Sequence, residues 1–368
     1  MNFFIEKKSF YESLNQFQSV VEKRNTIPIL GNVKISASDD FVQITATDLS
    51  IQLTDKINAK VVEKGELTLP SQVLFDIIKK IPDIDNIEIK SHQETGKVFI
   101  LFGNSKFSLS SLPASDFPEI ESEHLDININ LSSDQLKYLF EECKFSMGSD
   151  ESRQYLNGIY FHLNNEKIIT VATDGHRLSK CEINFKENIQ NFDGVIIPKK
   201  TINEICKLLE NNKEPIKIGL SKTKIKFELG KLNLLSKLVN SNFPDYESVI
   251  PKDNNLQMQC DSDIFYETID RVSTVSNEKF RTVKLEINEN ICIVSSFGEE
   301  NSVGTEQISV KYNGPKININ FNARYIMDVL YILKNQDLSI SFAKDTAPTI
   351  IKSNKKEQSI YLIMQMRA

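Results

Sequence analysis

No apolar run in this chain approaches the ~20 residues that a membrane-spanning helix needs. The opening MNFFIEKKSF meets charge at Glu6 and has neither the apolar stretch nor the small-residue cleavage site of a secretory leader. Cysteine is sparse: Cys143, Cys181, Cys206, Cys260 and Cys292 are scattered, odd in number and never spaced as CxxC. That pattern excludes a disulfide frame and a zinc ribbon and points to reduced thiols in a cytoplasm. Histidine is scarcer still, and His92, His124, His162 and His176 are too dispersed for metal ligation. No GxGxxG opens a helix, and GxxxxGK[ST], GxSxG and HExxH are absent, so no nucleotide, nucleophile-elbow or zincin signature exists. Positive charge is not in excess either. With 44 basic and 50 acidic residues the net charge is −6, so composition alone does not suggest nucleic acid.

What is present is repetition. The 368 residues, 40% hydrophobic and 26% charged, suffice for two to four ordinary globular domains. Ala46-Thr47-Asp48 recurs as Ala172-Thr173-Asp174, and Phe117-Pro118 recurs as Phe243-Pro244, both 126 residues on. LPSQVLFDIIK (from Leu69) matches IPKKTINEICK (from Ile197), which sets Asp76 against Glu204. A third copy is fainter: FNARYIMDVLYILK (from Phe321) puts Asp328 at the same position. DSDIFYETIDRV (from Asp261) likewise resembles SSDQLKYLFEEC (from Ser132). Constant spacing at several landmarks means three copies, bounded as 1–125, 126–251 and 252–368.

Each copy also looks halved. In SFYESLNQFQSVVEK the residues Phe10, Leu14, Phe17 and Val21 fall at helical intervals, with Ser9 as N-cap. The following VKISASDDFVQITATDLSIQLTDKI alternates with period two about Asp39-Asp40, which predicts antiparallel strands. Pro70 then opens a second helix, with Val73, Leu74, Ile77, Ile78 and Ile81 apolar and Pro82 as its stop, and more alternation follows. One helix plus several strands, given twice per copy, predicts six helices on antiparallel sheets, an α+β class. The absence of long linkers argues for an arc of similar domains rather than beads on a string.

The densest chemistry is Thr173-Asp174-Gly175-His176-Arg177-Leu178. As a hydrolase site, Asp174 would orient His176 as base and Arg177 would bind an anion. As a turn, Asp174 would bond the backbone and Gly175 would take a positive φ. Asp48 occupies the same place in the first copy without a His-Arg pair, which favours the turn but leaves His176 and Arg177 unexplained. The six helical segments together carry a net charge of +1, less acidic than the rest of the chain. Lys199 and Lys200 stand at a helix N-terminus, where the dipole disfavours cations, which hints at a reason outside folding.

IPILGN (Ile27 to Asn32), YLNG (Tyr155 to Gly158), VATDGHRL (Val171 to Leu178), FPDY (Phe243 to Tyr246), SNEKFR (Ser276 to Arg281) and a terminal MxMR (Met364 to Arg367) together resemble one family. It is the beta subunit of bacterial DNA polymerase III, the replicative sliding clamps. The resemblance implies a DNA clamp fold of three similar domains, helices inside and sheets outside, closed into a ring by a head-to-tail homodimer. It implies a non-catalytic processivity factor without cofactor or metal, encircling duplex DNA independently of sequence. Its partners would be polymerase subunits, a clamp loader and repair proteins carrying short clamp-binding peptides. Arg24, Lys199, Lys200, Gln154 and Tyr155 match DNA-facing positions. Arg153, Leu156, Thr173, Gly175, His176, Arg177, Leu178, Pro244, Val249, Asn322, Tyr325 and Thr349 match a peptide groove, with the tail Leu362, Ile363, Met364, Gln365, Met366 and Arg367. Ile77, Ile81 and Phe107 of one chain would meet Thr274 and Val275 of the other. Ser248, Gln365 and Ala368 depart from the family's usual arginine, proline and leucine. Outside the family, a three-repeat peptide-binding adaptor that never encircles DNA is the remaining alternative.

Overall fold

A computed structural model describes residues 1–21, 27–82, 86–92, 96–121, 123–186, 192, 194–276, 281–343, 347–355 and 358–366. Six α-helices lie among them: α1 (Lys7–Phe17), α2 (Ser71–Lys80), α3 (Ser133–Lys144), α4 (Lys199–Leu209), α5 (Ser262–Ser273) and α6 (Ala323–Ile332). Each falls where the apolar spacing places one. In α1 the i, i+4, i+7 set Phe10, Leu14 and Phe17 is fully buried. Ser9 is not its N-cap; Glu6, three residues earlier, takes that place, and the Ser9 hydroxyl donates back to the Glu6 carboxylate. In α2 the buried stripe is Leu74, Phe75 and Ile78, while Val73 is 45% exposed, so the expected apolar face is rotated. Asp261 and Asn322 cap α5 and α6, accepting from the backbone N–H groups of the first turn.

All strand pairings named below are antiparallel, and the chain groups into two compact units that do not follow the repeat boundaries: Met1–Leu136 with Asn203–Leu238, and Lys137–Ile202 with Val239–Ala368. The cause is sheet continuity. In the first unit the strand Ile51–Asn58 of the first copy pairs with Leu232–Lys237 of the second, Leu53 opposite Leu234, inside one eight-stranded sheet. In the second unit Arg177–Asn184 pairs with Ser359–Ile363 of the third copy, Ser179 opposite Tyr361, inside another eight-stranded sheet. At both junctions the paired side chains Leu53, Leu234, Ser179 and Tyr361 are fully buried. The strands that occupy these repeat positions at the two remaining places are sheet edges. Ser105–Ser110 ends the five-stranded sheet of the first unit, and Val303–Ser309 ends the four-stranded sheet of the second.

All five cysteines are buried thiols outside any disulfide. Burial pushes the Cys143 and Cys260 thiols well up and the Cys292 thiol to about 12, so they are packing groups rather than nucleophiles. No group of three or more metal-ligating side chains gathers among the described residues. No helix among them is long and apolar enough to cross a membrane.

Candidate functional site

The Thr-Asp turns of the first two copies are built alike. Asp48 Oδ1 accepts from Ser50 and Ile51 N–H at 2.8 and 2.7 Å, and Asp174 Oδ1 accepts from His176 and Arg177 N–H at 2.9 and 3.0 Å. The threonine hydroxyl before each aspartate donates to the carbonyl of Ile51 or Arg177. The residue after the aspartate takes a positive φ, 75° at Leu49 and 89° at Gly175. Asp174 is therefore a turn-forming side chain. Its second oxygen accepts from Arg177 Nε at 3.0 Å, not from the His176 ring, and the hydrolase reading fails.

Glycine at 175 has a second reason. A Cβ there would stand 3.0 Å from Arg153 Nη1, so the guanidinium lies across the turn. Arg153 is held by Asp150, whose Oδ2 accepts from Arg153 Nε at 2.9 Å and whose Oδ1 accepts from Ser152 N and Oγ. Those Ser152 bonds, with the Arg153 contact after them, hold the Asp150 carboxyl down at about 2. Around the turn, His176 is exposed, its ring stacked 6.2 Å from Tyr325, and its carbonyl accepts from Met364 N–H at 2.9 Å.

The tail divides by strand alternation. Leu362 joins a buried cluster with Ile169, Val171, Leu178 and Tyr246. Ile363 points the other way into the main core of the third copy and is fully buried, which corrects its assignment to the groove floor. Thr349 and Leu156, 1% and 5% exposed, also lie beneath the surface rather than on it. Val249 and Met364 are 49% and 42% exposed, Pro244 is exposed, and Asn322 and Tyr325 are half-buried. Gln365 Nε2 donates to the Ala347 carbonyl, and Met366 N–H donates to the Asn320 carbonyl, so the tail is tied down on both sides of Met364. Arg367 and Arg24 lie outside the described residues.

Beneath the candidate groove, Tyr246 and Phe243 anchor the segment that carries Pro244 and Val249. Phe243 stacks on Tyr160 at 4.9 Å, and Tyr246 Oη lies 3.0 Å from His162 Nε2. Burial, with the Lys180 charge as a lesser cause, depresses the His162 imidazole to about 4. These anchors were not singled out from sequence, although FPDY contains two of them. Asp328 was also missed as a site residue, although it marks a repeat landmark. Of the DNA-facing expectations, Lys199 Nζ reaches the Gly148 carbonyl at 3.3 Å, while Lys200 and Gln154 are exposed and Tyr155 half-buried. Of the dimer expectations, Phe107 is 41% exposed and Ile77 half-buried, but Ile81 is 4% exposed and belongs to its own chain's core.

Three family models tile the chain: DNA polymerase III beta subunit N-terminal domain over residues 1–121, central domain over 130–245 and C-terminal domain over 247–367. The chain is 36% identical over 371 residues to the beta sliding clamp of Caulobacter vibrioides and 31% identical over 368 residues to that of Escherichia coli K12, each covering 100% of both chains. A crystal structure of the Caulobacter crescentus clamp superposes with a TM-score of 0.96 at 36% identity. The Pseudomonas aeruginosa DNA polymerase III beta subunit does so with 0.96 at 31%, both with full coverage. By sequence over its whole length and by fold, the chain belongs to the DNA polymerase III beta subunit family, the sliding clamps, and is a non-catalytic processivity factor.

Proposed function

We propose that two copies of this chain close head to tail into a ring around duplex DNA in the cytoplasm. Polymerases, a loader and repair proteins would dock by short peptides in the groove about His176, Pro244, Val249 and Met364, with Leu178 and Leu362 buried beneath it. The observation that carries ring closure is the pair of unmatched edges. Strand pairing aligns Phe107 with Leu234 and Tyr361, and Gly304 with Leu53 and Ser179. Leu53 faces Leu234 and Ser179 faces Tyr361, all four buried, whereas Phe107 is 41% exposed on an edge strand. An edge of this kind invites pairing with another chain, and a two-fold dimer uses both edges twice. Gly304 suits the site, since a Cβ there would meet the Val272 carbonyl oxygen at 3.0 Å and Val275 Cγ2 at 3.1 Å.

A ring held topologically needs only weak phosphate contacts. Lys199, Lys200, Arg24, Gln154 and Tyr155 supply them in this reading, which removes any conflict with an acidic chain. The test joins solution mass with DNA retention. A dimer of twice 42.0 kDa that, once loaded, stays on circular DNA and is released by linearisation is the expected result. A monomer at micromolar concentration, or equal retention on both DNA forms, overturns ring closure and leaves the open adaptor.

A further inference from the structure

Arg177 is one of the residues matched to the peptide groove, yet its guanidinium is already engaged. Its side chain is 10% exposed. Nε donates to Asp174 Oδ2 at 3.0 Å, Nη1 donates to Asp328 Oδ2 at 2.5 Å, and Nη2 donates to the Phe145 carbonyl. Its flat faces are occupied as well, with the Tyr325 ring centroid 4.6 Å and the Phe145 centroid 5.4 Å from the guanidinium carbon. A planar fork with carboxylates on two edges and aromatic rings beside it has no open side for a peptide carboxylate.

What this arrangement does is join three elements: the Thr173–Arg177 turn, the residue following α3, and α6. Asp328 and Tyr325 lie three residues apart on one face of α6, so a bond that holds Asp328 also fixes the height of the Tyr325 ring. That ring stacks on His176, whose backbone carbonyl in turn receives Met364 N–H. We propose that Asp328 is a positioning residue of the groove, acting through Arg177, and that Arg177 sets the His176–Tyr325 wall instead of reading charge on the partner. The inference rests on the groove being the peptide site. It departs from the expectation that Arg177 lines the surface the peptide touches.

The experiment uses the full chain with Asp328→Asn, nearly isosteric and uncharged, Arg177→Lys and the double variant. Two synthetic peptides are titrated: a neutral Gln-Leu-Ser-Leu-Phe and its acidic counterpart Gln-Leu-Asp-Leu-Phe. The His176 ring resonance is followed in the unliganded proteins. Asp328→Asn is expected to weaken both peptides by the same factor, about 3- to 10-fold. The double variant should be no worse than the weaker single one, and the His176 resonance should move without any peptide. An unshifted His176 resonance with unchanged affinities overturns the proposal. So does a loss in Arg177→Lys confined to the acidic peptide, since that would make Arg177 a direct reader of charge. If the wild type binds neither peptide, the groove reading itself falls, and the His176 resonance still decides the positioning.

Discussion

The polar residues under the groove act through geometry that burial enforces. His162 is 8% exposed and faces Tyr246, which is itself 7% exposed. Its imidazole is depressed from 6.5 to about 4, chiefly by desolvation, with Lys180 adding to the shift and Glu247 opposing it. A depressed value means that the unfolded chain takes up a proton near pH 6.5 and the folded chain only near 4. The stabilisation is therefore complete above about pH 6.5 and lost as pH falls toward about 4, on the order of 1–3 kcal/mol in all. Denaturant midpoints measured from pH 7 to 4.5 should fall more steeply for the wild type than for His162→Gln. Parallel curves would show that another group carries the dependence. Nothing in the sequence announced this pair, because His162 and Tyr246 are 84 positions apart and each looks unremarkable in its own strand or loop. The Asp48 and Asp174 turns were legible, since an Asx turn closes within three residues and needs no distant partner.

Elements carry a second layer of meaning. The six helices were readable because an amphipathic stripe is a local period, but which residues of the stripe reach the core is set by what packs over it. Hence Val73 of α2 is exposed while Phe75 is buried. The carboxylate recurring at Asp76, Glu204 and Asp328 shows an element-scale rule. Glu204 of α4 accepts from Ser19, just beyond α1, and Asp328 of α6 accepts from Arg177, in each case a group of the preceding copy. By that rule, in the proposed ring, Asp76 of α2, next to Ile77, would face the third copy of the partner chain near Thr274 and Val275. At the start of α4, Lys199 and Lys200 oppose the helix dipole. Replacing both with alanine, together with Arg24→Ala, should leave the fold intact. The triple variant should weaken DNA association at low salt and flatten its logarithmic salt dependence by roughly one to three. An unchanged slope, or a newly apparent preference for base sequence, would refute the phosphate role.

For the whole molecule, the two internal junctions give the register that the proposed ring closure would take. Asn233 pairs with Thr54 at one and Ile360 with Lys180 at the other, which maps Lys106 opposite the partner's Thr305 and Phe107 opposite its Gly304. Directly opposed antiparallel residues lie about 4.5–5.5 Å apart at Cα, within disulfide range. A chain with Lys106→Cys and Thr305→Cys should oxidise to a covalent dimer, with little background because the native thiols are buried. Lys106→Cys with Glu306→Cys, one residue out of register and on the opposite face, should not. Efficient crosslinking of the second pair would displace the register. Replacing Phe107 with aspartate should shift the equilibrium toward monomer, as its repeat counterparts Leu234 and Tyr361 are fully buried.

By itself the sequence determined the threefold repeat, the six helices, the antiparallel class, the turn aspartates and the family. All of these are expressed by residues near one another or by patterns that recur at constant spacing. Only the tertiary structure decided which face each side chain serves. Leu362 and Ile363 are adjacent and both apolar, and alternation says that they part company without saying which one meets the core. It also decided that Arg177 is spent on Asp328, 151 residues away, and that Ile81 is claimed by its own chain. Such assignments depend on which surfaces the sheets bring together, and that is fixed by pairing between copies rather than within them.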